Sequence, residues 1–318
     1  MPSHQSNLWT IVLAAGEGTR LRSLTRALHG EDRPKQFAFI DGESSLLQAT
    51  LARAARFCRT DHTIVVVSEN QEGLARAQLR EYPLVQVVAQ PKNAGTAPGI
   101  LLPLLHVLAQ DPEAEVVILA SDHHVTDVEP FVGSVREAVS VSRVRGSVVV
   151  VGAVPDRPET QYGWISPTED GTANGLTVGR FLEKPDRPIA EDLFRSGALW
   201  NTFIMAGKAS RFLHMMATHL AALTARFERY LHAIGTPWEA RIRTSVYADL
   251  PTADFSRDVL EKAGELGLVA LARCGWSDWG TPGRVFESLK GTPTLRALID
   301  RLKGHGRNEF LVGDAVVI

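Results

Sequence analysis

Residues 14 to 23, AAGEGTRLRS, set two glycines and two arginines directly behind the apolar run Ile11-Val12-Leu13. Gly16 and Gly18 can reach backbone angles closed to other residues and let main-chain N–H groups approach an anion, while Arg20 adds a delocalised cation. A polyphosphate satisfies both features. In the extended neighbourhood to residue 35, Arg22, Arg26, Arg33 and Lys35 outnumber Glu17, Glu31 and Asp32. The dinucleotide fingerprint fits poorly, because Leu21 stands where a third small residue belongs, and so does the P-loop, because Gly18 is followed by Thr19-Arg20 rather than Lys-Ser/Thr. A tight turn in a solvated, charged loop is the competing reading. Asp122 follows the apolar run Val116 to Leu119, and Asp278 lies in WSDWG after a second such run. Spacing alone leaves each aspartate as a strand-end turn residue or a metal ligand. His123 and His124 adjoin Asp122, yet neighbours on an extended segment point to opposite faces, which argues against a shared zinc.

The elements that must position these groups follow from periodicity. Trp9 to Leu13, Thr63 to Val67, Val116 to Leu119 and Ser147 to Val151 read as strands, continuously apolar because both faces are buried. Ser45 to Phe57 and Gly99 to Leu108 carry apolar residues at helical spacing between them. This alternation describes an α/β sheet with helices on both faces. Beyond about residue 155 the rhythm is irregular and suggests an insertion beside the sheet, followed by a long helix from Lys208 to roughly Ile234 and a strand from Gly267 to Cys274. One more helix past Glu287 and an apolar tail from Phe310 to Ile318 close the chain; the tail offers a strand to a partner, so a homodimer is entertained.

A chain of 318 residues, 44% hydrophobic, can bury a large core. Thirty-four basic against thirty-six acidic residues leave a formal charge of -2, which gives no field for nucleic acid or an anionic membrane. Cys58 and Cys274 are too few for a disulfide framework and suit a reducing, cytoplasmic compartment. The start MPSHQSNLW shows no signal-peptide pattern, and no apolar run reaches the ~18 residues of a membrane span.

GEGTRLRSLT followed by RPKQF resembles the signature of the sugar-1-phosphate nucleotidyltransferases, in the form similar to mannose-1-phosphate guanylyltransferases. QPKNAGTAPGI, ASDHHV, YGWI, FLEKPD, LWNTFIM and GWSDWGTP resemble further family motifs in family order, from about residue 8 to residue 287. The resemblance implies a Rossmann-like three-layer sandwich with a mixed, mostly parallel central sheet, of nucleotide-diphospho-sugar transferase type. It assigns residues 1–287 to the catalytic domain, with a sugar-pocket insertion at roughly 155–207, and 288–318 to a short helix and tail. It also implies a reaction in which a sugar 1-phosphate attacks the α-phosphorus of a nucleoside triphosphate and expels pyrophosphate.

By that resemblance Asp122 and Asp278 bind Mg²⁺, and Arg20 and Lys35 neutralise the triphosphate. Leu13, Ala15, Gly16, Gly18, Gln90, Gly95 and Thr96 hold the nucleotide, and Tyr162, Gly163, Glu183, Lys184 and Asn201 hold the sugar phosphate. Tyr162, Trp276 and Trp279 are further candidates for stacking on a ring, or else core aromatics. GTP and mannose 1-phosphate are the expected substrates, giving GDP-mannose. Three departures bear on this: Ala94-Gly95 stands where guanylyltransferases commonly show Arg-Asn, Asp254-Phe255-Ser256 shifts a carboxylate by two positions, and neither a cupin-like domain nor a full hexapeptide β-helix follows. A single activity is expected. Another hexose-1-phosphate nucleotidyltransferase using UTP, dTTP or CTP is the close alternative, and a catalytically silent nucleotide-sugar-binding subunit the distant one.

Overall fold

The computed structural model describes residues 7–168 and 176–304, and the backbone of 311–312 and 315–316. Among these residues β1 (Leu8–Leu13), β2 (Thr63–Ser68), β3 (Gln86–Gln90), β4 (Glu115–Ala120), β5 (Val149–Ala153), β6 (Gly163–Thr168), β7 (Leu176–Glu183), β8 (Leu199–Lys208) and β9 (Gly267–Ala270) form one sheet in the order β3-β2-β1-β4-β8-β5-β9-β7-β6. Only β7 and β8 run against the other strands, so the sheet is mixed with a dominant direction. β6 also pairs with β8, which curls β8, β5, β9, β7 and β6 into a closed ring. The helices are α1 (Arg22–His29), α2 (Leu46–Ala54), α3 (Glu72–Gln78), α4 (Thr96–Gln110), α5 (Val128–Arg145), α6 (Arg187–Arg195), α7 (Ala209–His219), α8 (Ala221–Leu231), α9 (Glu239–Tyr247), α10 (Phe255–Asp258), α11 (Pro282–Ser288) and α12 (Pro293–Gly304).

Alternate side chains of each strand serve opposite faces. Trp9, Ile11, Ile64 and Val66 pack with Ile100 and Leu104 of α4, Phe212 of α7 and Phe227 of α8. On the other face Val12, Val65 and Val67 meet Leu47 and Leu51 of α2, while Val117 and Leu119 meet Phe131 and Val135 of α5. The result is three layers, with every residue of β2 buried as its unbroken apolar run requires. Local signals fix the helix starts: Ser45 Oγ accepts the Gln48 N–H at 3.2 Å, and Gln48 Oε1 accepts the Ser45 N–H at 3.0 Å, a reciprocal cap for α2.

Two expectations are corrected. The stretch 155–207 does not sit beside the sheet: it supplies β6, β7 and most of β8, and β8 lies between β4 and β5. Its residues Ile204, Met205 and Ala206 are apolar to both faces, which suits an interior strand. The helix expected from Lys208 to Ile234 is instead the end of β8 followed by α7 and α8, broken at Leu220 (φ -132, ψ 46). No glycine or proline marks the break. Leu220 donates its N–H to the Met216 carbonyl at 2.8 Å and accepts from the Thr224 N–H at 2.9 Å, so both helix ends are satisfied without a breaker.

In the apolar tail, Leu311–Val312 pairs antiparallel with Ala315–Val316; the rest of the tail lies outside the described residues. Leu298 and Leu302 of α12 pack with Leu21 and Leu24, and Arg301 donates to the Phe39 and Ile40 carbonyls at 2.8 and 3.1 Å, bracing the segment that carries Lys35. No described helix is long and apolar enough to cross a membrane.

Candidate active site

The loop after β1 is tied down by its carbonyls. Gln36 Nε2 donates to the Ala14 and Gly16 oxygens at 2.8 and 2.7 Å, Gln71 Nε2 to Gly16 at 3.1 Å, and Ser68 Oγ to Ala15 at 3.3 Å. The N–H groups of Gly16, Glu17 and Gly18 have no partner among the described residues. With the carbonyls engaged, successive unpaired N–H groups are left available to an anion. Gly18 has φ 59, and a Cβ built there would lie 2.7 Å from Lys35 N and 2.8 Å from Lys35 Cβ. Only glycine lets the loop rest on the backbone of Lys35.

Pro34 and a turn over Lys35–Phe37, closed by Phe37 N–H donating to the Pro34 carbonyl at 2.9 Å, throw the lysine inward. Its side chain is 5% exposed, and Nζ donates to Asp122 Oδ2 at 3.2 Å. It also donates to the backbone carbonyl of Asp278. Burial, the largest influence on Asp122, pushes its carboxyl up, but the charges of Lys35 and His123 with the lysine hydrogen bond leave it below the ordinary value. Asp278 Oδ1 accepts from the Tyr162 hydroxyl and from the Gly280 N–H, and Arg20 Nη2 lies 3.6 Å from Oδ2. The Arg284 guanidinium donates to the Tyr162 oxygen at 3.3 Å and lies 5.5 Å over its ring and 5.0 Å over Trp200. Burial and the Asp278 charge push the Tyr162 hydroxyl up, so it stays a donor. The Tyr162 ring lines the cavity while its hydroxyl is committed to the Asp278 carboxylate.

Asp122 and Asp278 are hard oxygen donors, and Lys35 ties the carboxylate of the first to the backbone carbonyl of the second; a donor set of this kind suits Mg²⁺, which takes few protein ligands and completes its shell with phosphate oxygens and water. No group of three or more His, Cys, Asp or Glu fit to hold a metal occurs among the described residues.

These groups border a cavity of about 400 Å³. Leu13, Ala15, Gly16, Gln90, Gly95, Thr96, Asp122, Tyr162, Gly163, Glu183, Lys184, Asn201 and Asp278 line it; Gly18, Arg20 and Lys35 do not, and reach it only through the contacts just described. At one end Gln90 Oε1 accepts from the Tyr247 hydroxyl at 3.3 Å, Thr96 Oγ1 accepts from the Phe255 N–H at 2.7 Å, and Leu13 and Val66 add apolar wall. Gly95 (φ 93) is required because a Cβ would meet the Ala253 carbonyl at 2.3 Å. At the other end Glu183 pairs with Lys184; burial raises its carboxyl above the ordinary value despite the lysine. A Cβ on Gly163 would lie 2.6 Å from Glu183 Oε2.

The left-handed non-glycine residues among those described are Lys184 (φ 51), Phe203 (φ 58) and Trp279 (φ 45). The first two line the cavity and the third follows Asp278. Each costs about 1–2 kcal/mol, and such strain collects at functional sites. His123 lines the cavity with Nε2 3.8 Å from Asp122 Oδ1, whereas His124 stacks on Trp279 at 4.1 Å, on the opposite side as extended geometry requires. Trp279 is a core residue, 1% exposed, and no ring platform; Trp276 does line the cavity. Sequence reasoning gave no role in the site to Gln36, Gln71 and Phe203. Amides that grip carbonyls and a strained phenylalanine leave no periodic signal.

The chain matches the family model for nucleotidyl transferases over residues 9–292. Mannose-1-phosphate guanylyltransferase of Escherichia coli (strain K12) is 28% identical over 89% of this chain and 60% of its own length. Xanthan biosynthesis protein XanB of Xanthomonas campestris pv. campestris (strain ATCC 33913) is 31% identical over 87% of this chain and 58% of its own length. The chain therefore spans about three-fifths of these curated relatives. A Thermus thermophilus crystal structure described as a "mannose-1-phosphate geranyltransferase" superposes with a TM-score of 0.78 and 29% identity, covering 90% of this chain and 80% of that one.

Proposed function

From the premise that the chain belongs to the nucleotidyl transferase family, we propose that it transfers a guanylyl group from GTP to mannose 1-phosphate, releasing pyrophosphate and GDP-mannose, on a sheet of nucleotide-diphospho-sugar transferase type. The observation that carries this reading is Lys35, buried and shared between Asp122 and Asp278 at the mouth of the glycine loop. The sugar phosphate oxygen forms a bond to the α-phosphorus, and the bond from that phosphorus to the α,β-bridging oxygen breaks, its electron pair leaving with pyrophosphate. Two anions must meet, so positioning and charge neutralisation dominate. The free N–H groups of Gly16, Glu17 and Gly18 receive phosphate oxygens, with Lys35 and Arg20 supplying fixed charge beside them. Lys184 binds the incoming sugar phosphate, while Glu183 and Asn201 take its hydroxyls. Gln90, Gly95 and Thr96 face the base. Asp122 and Asp278 would hold Mg²⁺, which when bound supplies further charge neutralisation at the phosphoryl oxygens. Cys58 and Cys274, both free and buried, suit a cytoplasmic setting.

The test is a matrix of GTP, UTP, dTTP and CTP against hexose 1-phosphates, read by pyrophosphate release with and without Mg²⁺. GTP with mannose 1-phosphate in Mg²⁺ is expected to lead, and Asp122→Asn to lose turnover by about 100-fold or more, with a lowered melting temperature because the buried Lys35 loses its charged partner. A lead for another triphosphate moves the assignment to the neighbouring activity. No pyrophosphate from any pair overturns it in favour of a silent binding subunit.

A further inference from the structure

Phe203 places a bulky aromatic ring in the left-handed region, at φ 58, where glycine alone is at ease and such a residue is an outlier. Local hydrogen bonding does not ask for phenylalanine. Its N–H donates to Asn201 Oδ1 at 3.0 Å, a bond any residue but proline can make. The conformation arises at a bulge: β5 pairs Val151 with Ile204 and then Gly152 with Asn201, so Thr202 and Phe203 are extra residues on β8. Thr202 Oγ1 donates to the Val151 carbonyl at 2.6 Å and accepts from the Ile204 N–H at 3.2 Å, holding both sides of the bulge. Bulges beside active sites re-aim side chains. This one brings Phe203 to the cavity wall that Gly163, Glu183, Lys184 and Asn201 also form, while part of the ring packs on the main apolar cluster.

We propose that Phe203 is a specificity-determining residue whose ring walls the sugar subsite, admitting hexose 1-phosphates with plain hydroxyls and excluding those in which an acylamino group replaces a hydroxyl. This deepens the transferase reading above and rests on it. Glu183 supplies an acceptor and the Asn201 amide a donor, the Asn201 oxygen being engaged already. The phenyl ring has neither, so it can sort substrates only by shape and by contact with their apolar faces. A wall fixed by a hydrogen-bonded bulge behind it cannot swing aside for a larger substituent, and strain retained at a cavity wall marks a side chain in use.

The test compares wild type, Phe203→Gly and Phe203→Ala. In each, kcat/KM is measured for mannose 1-phosphate and N-acetylmannosamine 1-phosphate, which differ only in the acetamido group, with GTP and Mg²⁺, and Kd for both sugar phosphates is measured by calorimetry. Both truncations are expected to shift the preference at least about tenfold toward the acetamido sugar, with KM for GTP within about twofold of wild type. Phe203→Gly is expected to melt above Phe203→Ala, because glycine alone relieves the left-handed strain. An unchanged ratio, a change confined to KM for GTP, or an alanine variant that melts as high as the glycine one overturns the proposal. If the wild type releases no pyrophosphate the transferase reading fails by itself, and the Kd ratio still decides on the wall; binding of neither sugar phosphate to any of the three proteins overturns the wall too.

Discussion

Gly18→Ala tests the claim that the glycine loop exists to lie on Lys35. An alanine at φ 59 costs about 1–2 kcal/mol in backbone strain. Its Cβ would stand 2.7 Å from Lys35 N and 2.8 Å from Lys35 Cβ, distances that force backbone to move and add about 1–3 kcal/mol. The sum, about 2–5 kcal/mol at about 2 °C per kcal/mol for a chain of this size, lowers the melting temperature by about 4–10 °C. Lys35 cannot retreat without losing Asp122 and the Asp278 carbonyl, and a displacement of about 1 Å in a positioned group lowers turnover about 100-fold. Gly16→Ala is the control: its Cβ meets nothing within 4 Å, so its stability stays within about 0.5 kcal/mol of wild type. Scanning calorimetry and pyrophosphate release on both variants read the contrast. A Gly18→Ala protein that melts and turns over like Gly16→Ala would refute the reasoning.

Tyr162→Phe removes the hydroxyl that donates to Asp278 while keeping the ring; turnover is expected to fall about 10–100-fold and the Mg²⁺ requirement to rise, whereas a variant indistinguishable from wild type in a Mg²⁺ titration would leave the hydroxyl without a part in holding Asp278. His106, bonded to the Tyr230 hydroxyl at 2.7 Å, is held by burial below its ordinary value. Its folded form is the neutral one, so the stability it contributes is present above about pH 6.5 and is lost as pH falls through the lowered folded value; urea unfolding should show less loss across that window in His106→Gln, and equal slopes would dismiss the effect.

Much of the frame is legible in the chain. Unbroken runs such as Thr63 to Val67 announce strands buried on both faces, and glycines after such a run announce a turn over a ligand edge. β3 does not stand out because its Gln86 and Gln90 ends dilute a short apolar signal. β8 is hidden because a strand that enters the sheet antiparallel between β4 and β5 announces no neighbour in its own residues. The break at Leu220 is invisible because no glycine or proline makes it. Within the site, single residues in motifs are legible and their partners are not. The Tyr162 hydroxyl and Asp278 lie 116 residues apart, and nothing in either motif says that one oxygen serves the other.

That separation explains how the site holds its strain. Lys35 reaches Asp122 across 87 residues and Asp278 across 243, so no contiguous segment contains the site. A buried ammonium without partners would be costly; Lys35 becomes tolerable only with the Asp122 carboxylate and the Asp278 carbonyl in place, while the Asp278 carboxylate is held separately by Tyr162, Gly280 and Arg20. Strands β1 and β4, paired along their whole length from Leu8 with Glu115 to Leu13 with Ala120, set both halves at one edge of the sheet before any ligand arrives. The left-handed residues then stand where the frame is most over-determined: Trp279 directly after a carboxylate held by Tyr162 and Gly280, Phe203 on a bulge bonded on both sides, and Lys184 with its N–H on the Tyr162 carbonyl at 3.2 Å. Selectivity in such a cavity should respond to the shape of a strained wall residue such as Phe203.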